Sequence, residues 1–315
     1  MEKFGHSTNG SQVVVAFQDV VKGKTFLITG PSDGGIGAET AICLAAGSPS
    51  RILLAGRSMS KIQPVIDRIR SLYPEVKTKF ISIDLSNQSS VREAASIINA
   101  SVEKIDILIN NAAIMACPFG KTVDGIESQF GTNHVGHFLL TNLIMPKILA
   151  AGHGARIVNV SSLAHRMVDV RLEDWNFEDG ATYIPGVAYG AAKTANILFS
   201  LALTSKLKDA HVGSFSLNPG SIKTNLQRYL TEESIRETIK SIERRTGRPF
   251  VHPESKTLQQ GCSTTLVAAL DPSIPSGSYL EDCNVAQAEA YAMDQERAEQ
   301  LWALSEKLVG QKFDW

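Results

Sequence analysis

The stretch from Lys24 to Ala46 restricts the fold most. Lys24-Thr25-Phe26-Leu27-Ile28-Thr29 is a short, continuous apolar run, the pattern of a strand covered on both faces in a parallel sheet. It leads directly into Gly30-Pro31-Ser32-Asp33-Gly34-Gly35-Ile36-Gly37, and Ala38 to Ala46 then reads as a helix. Strand, glycine-rich turn and helix form the context in which a dinucleotide pyrophosphate binds. Glycines let backbone approach the phosphates, and the helix N-terminus offers unpaired N–H groups. A tight turn without a ligand explains the glycines equally well, so the rest of the chain must decide.

The same unit recurs along the chain. Further strands are expected at Arg51 to Ala55, Phe80 to Ile83, Ile105 to Ile109, Ala155 to Val160, Gly213 to Leu217 and Gly277 to Leu280. Helical stripes such as Ile62, Val65, Ile66, Ile69 and Leu72, or Val91, Ala94, Ala95 and Ile98, lie between them. Alternation of this kind predicts an α/β fold, a single doubly wound parallel sheet with helices on both faces. Its ligand crevice lies at the carboxyl ends of the strands. Gly30, Arg57, Asp84 and Asn111 all fall at such ends. One long helix is expected from about Phe130 to Leu149, a packing helix from Thr257 to Leu270, and a final core helix from Asp294 to Val309. Residues 1–23 read as an N-terminal extension and 24–315 as one domain. An insert at about 221–256, including the charged helical run Glu232 to Lys240, caps the substrate side together with Thr182 to Val187.

Composition narrows the partners. The 315 residues are 43% hydrophobic with a formal charge of -1, so no global field draws the chain to nucleic acid or an anionic membrane. Cys43, Cys117, Cys262 and Cys283 lack Cys-x-x-Cys spacing and read as reduced core thiols. No apolar stretch is long enough to span a bilayer or serve as a signal core, which predicts a cytoplasmic protein without a membrane anchor. His134 and His137 are three apart, but no third ligand has suitable spacing, so no metal is expected.

Tyr189 and Lys193 are four residues apart and share one helix face. A cation beside a phenol favours the phenolate, which would give a proton donor and acceptor usable near neutral pH. Ser162 arrives at the same carboxyl edge, where a hydroxyl can donate to a substrate oxygen. Val160-Ser161-Ser162-Leu163 is not a nucleophile elbow. After the second strand, the place where an acid would select NAD holds Arg57 instead. Its guanidinium suits a 2′-phosphate, with Ser32 a weaker candidate, so NADP(H) is favoured.

With these residues in view, the chain resembles the short-chain dehydrogenase/reductase family from Lys24 to about Leu280. Six motifs occur in family order: Thr29-Gly30 with Gly35-Ile36-Gly37, Asn110-Asn111-Ala112-Ala113, Asn133, Ser162, Tyr189-x-x-x-Lys193, and Asn218-Pro219-Gly220. Ser161-Ser162-Leu163-Ala164-His165, Lys193 to Phe199 and the 27-position gap from Ser162 to Tyr189 are similar to the retinol-dehydrogenase-like and WW-domain-oxidoreductase-like branch. Two departures stand out. The glycine-rich loop carries one extra residue, and Ala113 replaces a glycine. The branch also often carries a membrane anchor.

The resemblance implies a Rossmann fold and an NADP(H)-dependent carbonyl reductase or alcohol dehydrogenase. Its substrate would be a moderately large apolar ketone, aldehyde or alcohol. Ser162 and Tyr189 would bind the substrate oxygen, and Tyr189 would act as general acid/base. Lys193 would stabilise the phenolate and hold the nicotinamide ribose, while Asn133 would position a relay water. Gly30, Ser32, Gly35, Ile36, Gly37, Arg57, Asp84, Leu85, Asn111, Ala112, Ala113, Pro219, Gly220, Ile222 and Thr224 would line the cofactor site. Met115, Phe119, Met167, Tyr183, Leu226 and Tyr229 are candidates for the substrate pocket, and a homodimer is compatible. Alternatives from other classes are a same-fold isomerase or cyclase, and a scaffold that binds NADP(H) without turnover.

Overall fold

The computed structural model describes residues 4–247, 249–251 and 253–315. Its organising layer is a sheet built from β1 (Thr25–Thr29), β2 (Arg51–Gly56), β3 (Lys77–Ser82), β4 (Ile107–Asn110), β5 (Arg156–Val160) and β6 (Gly213–Asn218). A small two-stranded sheet, β7 (Ser221–Ile222) and β8 (Ser255–Lys256), sits apart. β9 (Tyr279–Glu281) and β10 (Asn284–Ala286) complete the main sheet. The strand order is β10-β9-β6-β5-β4-β1-β2-β3, parallel except for β10 on β9. The chain order reverses between β1 and β4, which opens a crevice at the carboxyl ends. β1, β4 and β5 are buried at every residue because helices cover both faces.

The helices are α1 (Gly10–Ala16), α2 (Gln18–Val21), α3 (Ile36–Ala45), α4 (Met59–Leu72), α5 (Gln88–Ser101), α6 (Ser128–Phe130), α7 (Gly136–Leu143), α8 (Met145–Leu149), α9 (Pro185–Lys206), α10 (Glu232–Thr246), α11 (Leu258–Leu270) and α12 (Gln295–Val309). Two apolar layers enclose the sheet. One unites α5, α7, α9 and α12 residues such as Val91, Phe138, Leu198 and Leu301; the other unites α1, α3, α4 and α11 residues such as Val13, Leu44, Val65 and Leu266.

Three expectations are corrected. The helix expected from Phe130 to Leu149 is not continuous. It begins as α6, passes through a π-helical turn at Gly131–Val135, and breaks at Ile144 before Pro146. Proline cannot supply the N–H that would continue the ladder, and a π turn re-aims the side chains it contains. The strand at Gly277 to Leu280 is not the last, because β10 turns back on β9 through Asp282 and Cys283, both at positive φ. The polar N-terminal stretch hides α1, whose Val13 and Val14 are buried against α3 and α11. The four cysteines are free and buried. Among the described residues no helix is long and apolar enough to cross a membrane.

Candidate active site

The crevice floor begins with Gly30 at φ +69°, a conformation that favours glycine. A Cβ there would also lie 2.7 Å from Ala112 Cα, so β1 and β4 could not deliver their loops side by side. Asn111 fastens the two, its Nδ2 donating to Thr29 O at 2.8 Å and to Gly30 O at 3.3 Å. The backbone N–H groups of Asn111 and Ala112 donate to Thr29 Oγ1. The enlarged glycine-rich loop is closed by Asp33 N–H donating to Lys61 O and by Gly35 N–H donating to Ser32 O. α3 then starts at Ile36, so its first N–H groups face the crevice edge.

At the end of β2, Arg57 is exposed, and among the described residues it has no hydrogen bond or ion pair. Asp84 is occupied differently: its Oδ1 accepts from Ser86 N–H and O–H, which shapes the turn after β3. Leu85 is buried against Gly136, where a Cβ would lie 2.3 Å from Leu85 O. Beyond β6, Asn218 Oδ1 accepts from Gly220 N–H and from Leu163 N–H, tying the Pro219-Gly220 turn to the Ser162 loop. Ile222 lies on β7, and Thr224 Oγ1 accepts from Leu226 N–H to start the next turn. Ser32, Ala112 and Ala113 belong to the two loops at this edge, and Ile36 and Gly37 open α3 beside them.

The second half of the site comes from β5 and α9. Ser161 O–H donates to Lys193 O, and Gly190 packs so near the turn after Ser162 that a Cβ would be 2.7 Å from Ala164 O. Tyr189 is therefore held against the Ser162 loop, and 7% of it is exposed. Burial pushes the Tyr189 phenol up, and the neighbouring Ser162 hydroxyl opposes this. Burial alone pulls Lys193 down to about 7. The expectation that Lys193 lowers the Tyr189 pKa is not met in this geometry. The ammonium donates to Val160 O at 2.8 Å and lies 5.6 Å from the Tyr189 ring centre, so desolvation dominates both groups.

Asn133 sits in the π-helical turn, fully buried. Its Nδ2 donates to Ile114 O and its Oδ1 accepts from Ile114 N–H, both at 2.9 Å, a two-point clamp on the loop after β4. The sequence offered His137 only as half of an incomplete metal-ligand pair, yet the structure puts it in this network. Thr29 Oγ1 already accepts two backbone N–H bonds, so its proton goes to His137 Nε2 at 2.9 Å. His137 Nδ1–H then donates to Asn133 O. Burial lowers His137 to about 4, which keeps this tautomer neutral. His134 is different: Ser305 donates to Leu301 O, so its oxygen accepts from His134 Nε2–H in an aromatic nest. The two rings serve separate partners.

His165 and Gln129 were also invisible as site residues. His165 Nδ1–H donates to Ser162 O at 2.7 Å. Gln129 Oε1 accepts from Ala116 N–H, while its Nε2 donates to Tyr183 Oη and Pro185 O. It thus braces the loop after β4 against the segment leading into α9. Phe119 meets Tyr183 edge-on at 5.3 Å on that side. The only signal for either in the sequence is a polar residue in a packable segment. Met167 and Leu226 are half-buried and Tyr229 is exposed; Met115 is half-buried in the loop after β4. α10 closes over the start of α9, where a Gly186 Cβ would fall 2.3 Å from Thr238 Oγ1.

The comparisons agree with this architecture. The family model described as short chain dehydrogenase matches residues 24–173. Retinol dehydrogenase 11 of Homo sapiens is 36% identical, covering 93% of this chain and 87% of its own. Short-chain dehydrogenase/reductase prx1 of Penicillium roqueforti is also 36% identical, over 92% of this chain and 86% of its own. A crystal structure of an uncharacterised protein from Mycobacterium paratuberculosis superposes with a TM-score of 0.72 at 33% identity, covering 93% of this chain and 96% of its own. The chain is an enzyme of the short-chain dehydrogenase/reductase family, an oxidoreductase with retinol-dehydrogenase-like relatives.

Proposed function

We propose that the protein is an NADP(H)-dependent oxidoreductase that interconverts a moderately large apolar ketone or aldehyde and the corresponding alcohol. The observation that carries this is the convergence of Ser162, Tyr189, Lys193 and Asn133 on one end of the crevice, with exposed Arg57 at the other. The residues present fit the cofactor. Gly30 leaves backbone room, the start of α3 offers N–H groups, and Arg57 is free to pair with a 2′-phosphate. NADPH, when bound, supplies the hydride.

The chain's own residues do the rest. Ser162 and Tyr189 hydrogen-bond the substrate oxygen where negative charge develops. Tyr189, kept protonated by burial, gives its proton to that oxygen in reduction and receives it in oxidation. Lys193, near its midpoint at neutral pH, can pass or hold a proton behind Tyr189. Asn133 fixes the loop that flanks the reacting groups, and its carbonyl is oriented by His137. Relatives named as retinol dehydrogenases support an apolar substrate. The direct test is consumption of NADPH against a panel of apolar ketones and aldehydes, with Tyr189→Phe alongside. Turnover on none of them, or full turnover in Tyr189→Phe, would overturn the reading.

A further inference from the structure

At the opposite edge of the sheet a groove of about 420 Å³ opens between the N-terminal ends of β5 and β6 and the end of α9. Arg156 lines it from the start of β5, Lys208 and His211 from the turn after α9, and no carboxylate does. Arg156 is the unusual member, a cation only 8% exposed. Its guanidinium has five N–H groups, and one hydrogen bond, Nη1 to Ala268 O at 2.9 Å, is the side chain's sole hydrogen bond among the described residues. Burial lowers its pKa, and Asp271 acts on it from beyond ion-pair range. The Asp271 Oδ1 is already taken by the N–H and O–H of Ser273. A buried guanidinium without a carboxylate is costly unless another anion completes it.

The walls suggest the shape of that anion. The guanidinium carbon sits over the Phe215 ring, 4.6 Å from its centre. His211 stacks on His153 at 4.1 Å with an 18° interplanar angle, so the other wall is also planar. Thr204 and Ser276 add hydroxyls at the rim, 3.2 Å apart.

We propose that this groove is a second ligand site, for a small planar aromatic carboxylate bound by the Nε–Nη2 edge of Arg156. That edge presents two parallel donors matched to two carboxylate oxygens, while Lys208 supplies the second positive charge. The site is separate from the catalytic one. β5 carries Arg156 at its start and leads to Ser162 after its end, about 20 Å away at ~3.3 Å per residue. A ligand here would leave the reaction crevice free.

The test is calorimetric titration of the full chain with 2-naphthoate, with and without saturating NADP⁺. Naphthalene-2-carboxamide is the neutral control. Binding should survive NADP⁺ and the Tyr189→Phe substitution, and the carboxamide should not bind. Lys208→Glu and Arg156→Met should each weaken 2-naphthoate by at least about tenfold. Lys208 is exposed, so its variant keeps the test sound if Arg156→Met fails to fold. The proposal is overturned by absence of binding at millimolar 2-naphthoate, by an unchanged Kd in Lys208→Glu, or by competition from NADP⁺ or the Tyr189→Phe change. The last would place the probe in the reaction crevice.

Discussion

Replacing Lys193 by methionine should make the protein more stable while abolishing its chemistry. The side chain is 2% exposed, and burial alone carries its pKa from 10.5 to about 7. At ~1.4 kcal/mol for each tenfold, that is equivalent to roughly 5 kcal/mol against folding when the unfolded chain is fully charged. Methionine has nearly the same length and no charge to desolvate. The change forfeits the hydrogen bond to Val160 O, at about 1 kcal/mol, although Asn196 Nδ2 still reaches that carbonyl at 3.2 Å. Allowing for imperfect packing, a net gain of about 2–4 kcal/mol is expected at pH 7.

The pH dependence identifies the cause. Lys193 has a depressed folded pKa, so the unfolded state binds more protons up to about 10.5, and this group's penalty fades as pH rises from 7 to 10.5. Urea unfolding of both proteins at pH 6.5 and 9.5 should show the stability gap shrinking at the higher pH. A variant less stable than the parent at pH 6.5, or a gap that stays constant with pH, would refute the argument from desolvation.

Other outcomes follow from the same geometry. Tyr189→Phe should lower kcat by about 10²–10⁴-fold with cofactor affinity nearly unchanged, read from steady-state kinetics and a fluorescence titration. Arg57→Ala should weaken NADPH by about tenfold or more and leave NADH unaffected, because a charge-assisted fork to phosphate is worth about 1.5–3 kcal/mol. Gly190→Ala places a Cβ against Ala164 O; it should cost roughly 1–3 kcal/mol in thermal unfolding and lower kcat by displacing the Ser162 loop. Gln129→Leu should raise KM for bulky ketones more than for small ones, since it frees Tyr183 and Pro185 on the substrate side.

Much of the fold was legible because its signals are local. Each buried strand is a short apolar run, and each crevice loop begins where that run stops, as at Gly30 and Asn111. The reading failed where a residue's state depends on distant partners. Val13 and Val14 look like a minor apolar run in a polar tail, but α3 and α11 supply the surface that buries them. The π turn at Gly131–Val135 left no mark in periodicity, since it shifts the register within an apolar helix. β10 exists only because β9 offers it an edge.

The candidate site divides along the same line. The sequence by itself determined the chemical inventory: a phenol and an amine one helical turn apart, a serine ending a strand, glycines ahead of a helix, and a cation after the second strand. Those depend on spacing along one chain segment. Only the tertiary structure decided their electrical state and their supports. Burial of α9 against the sheet and its neighbouring segments raises Tyr189 and pulls Lys193 to about 7, and no local pattern encodes that desolvation. Thr29 on β1, His137 on α7 and the carbonyl of Asn133 become one hydrogen-bonded chain because the sheet brings β1 beneath α7, with 108 positions separating the threonine from the histidine. Charge and hydrogen bonding act through space, so their outcome waits on the packing that sets the distances.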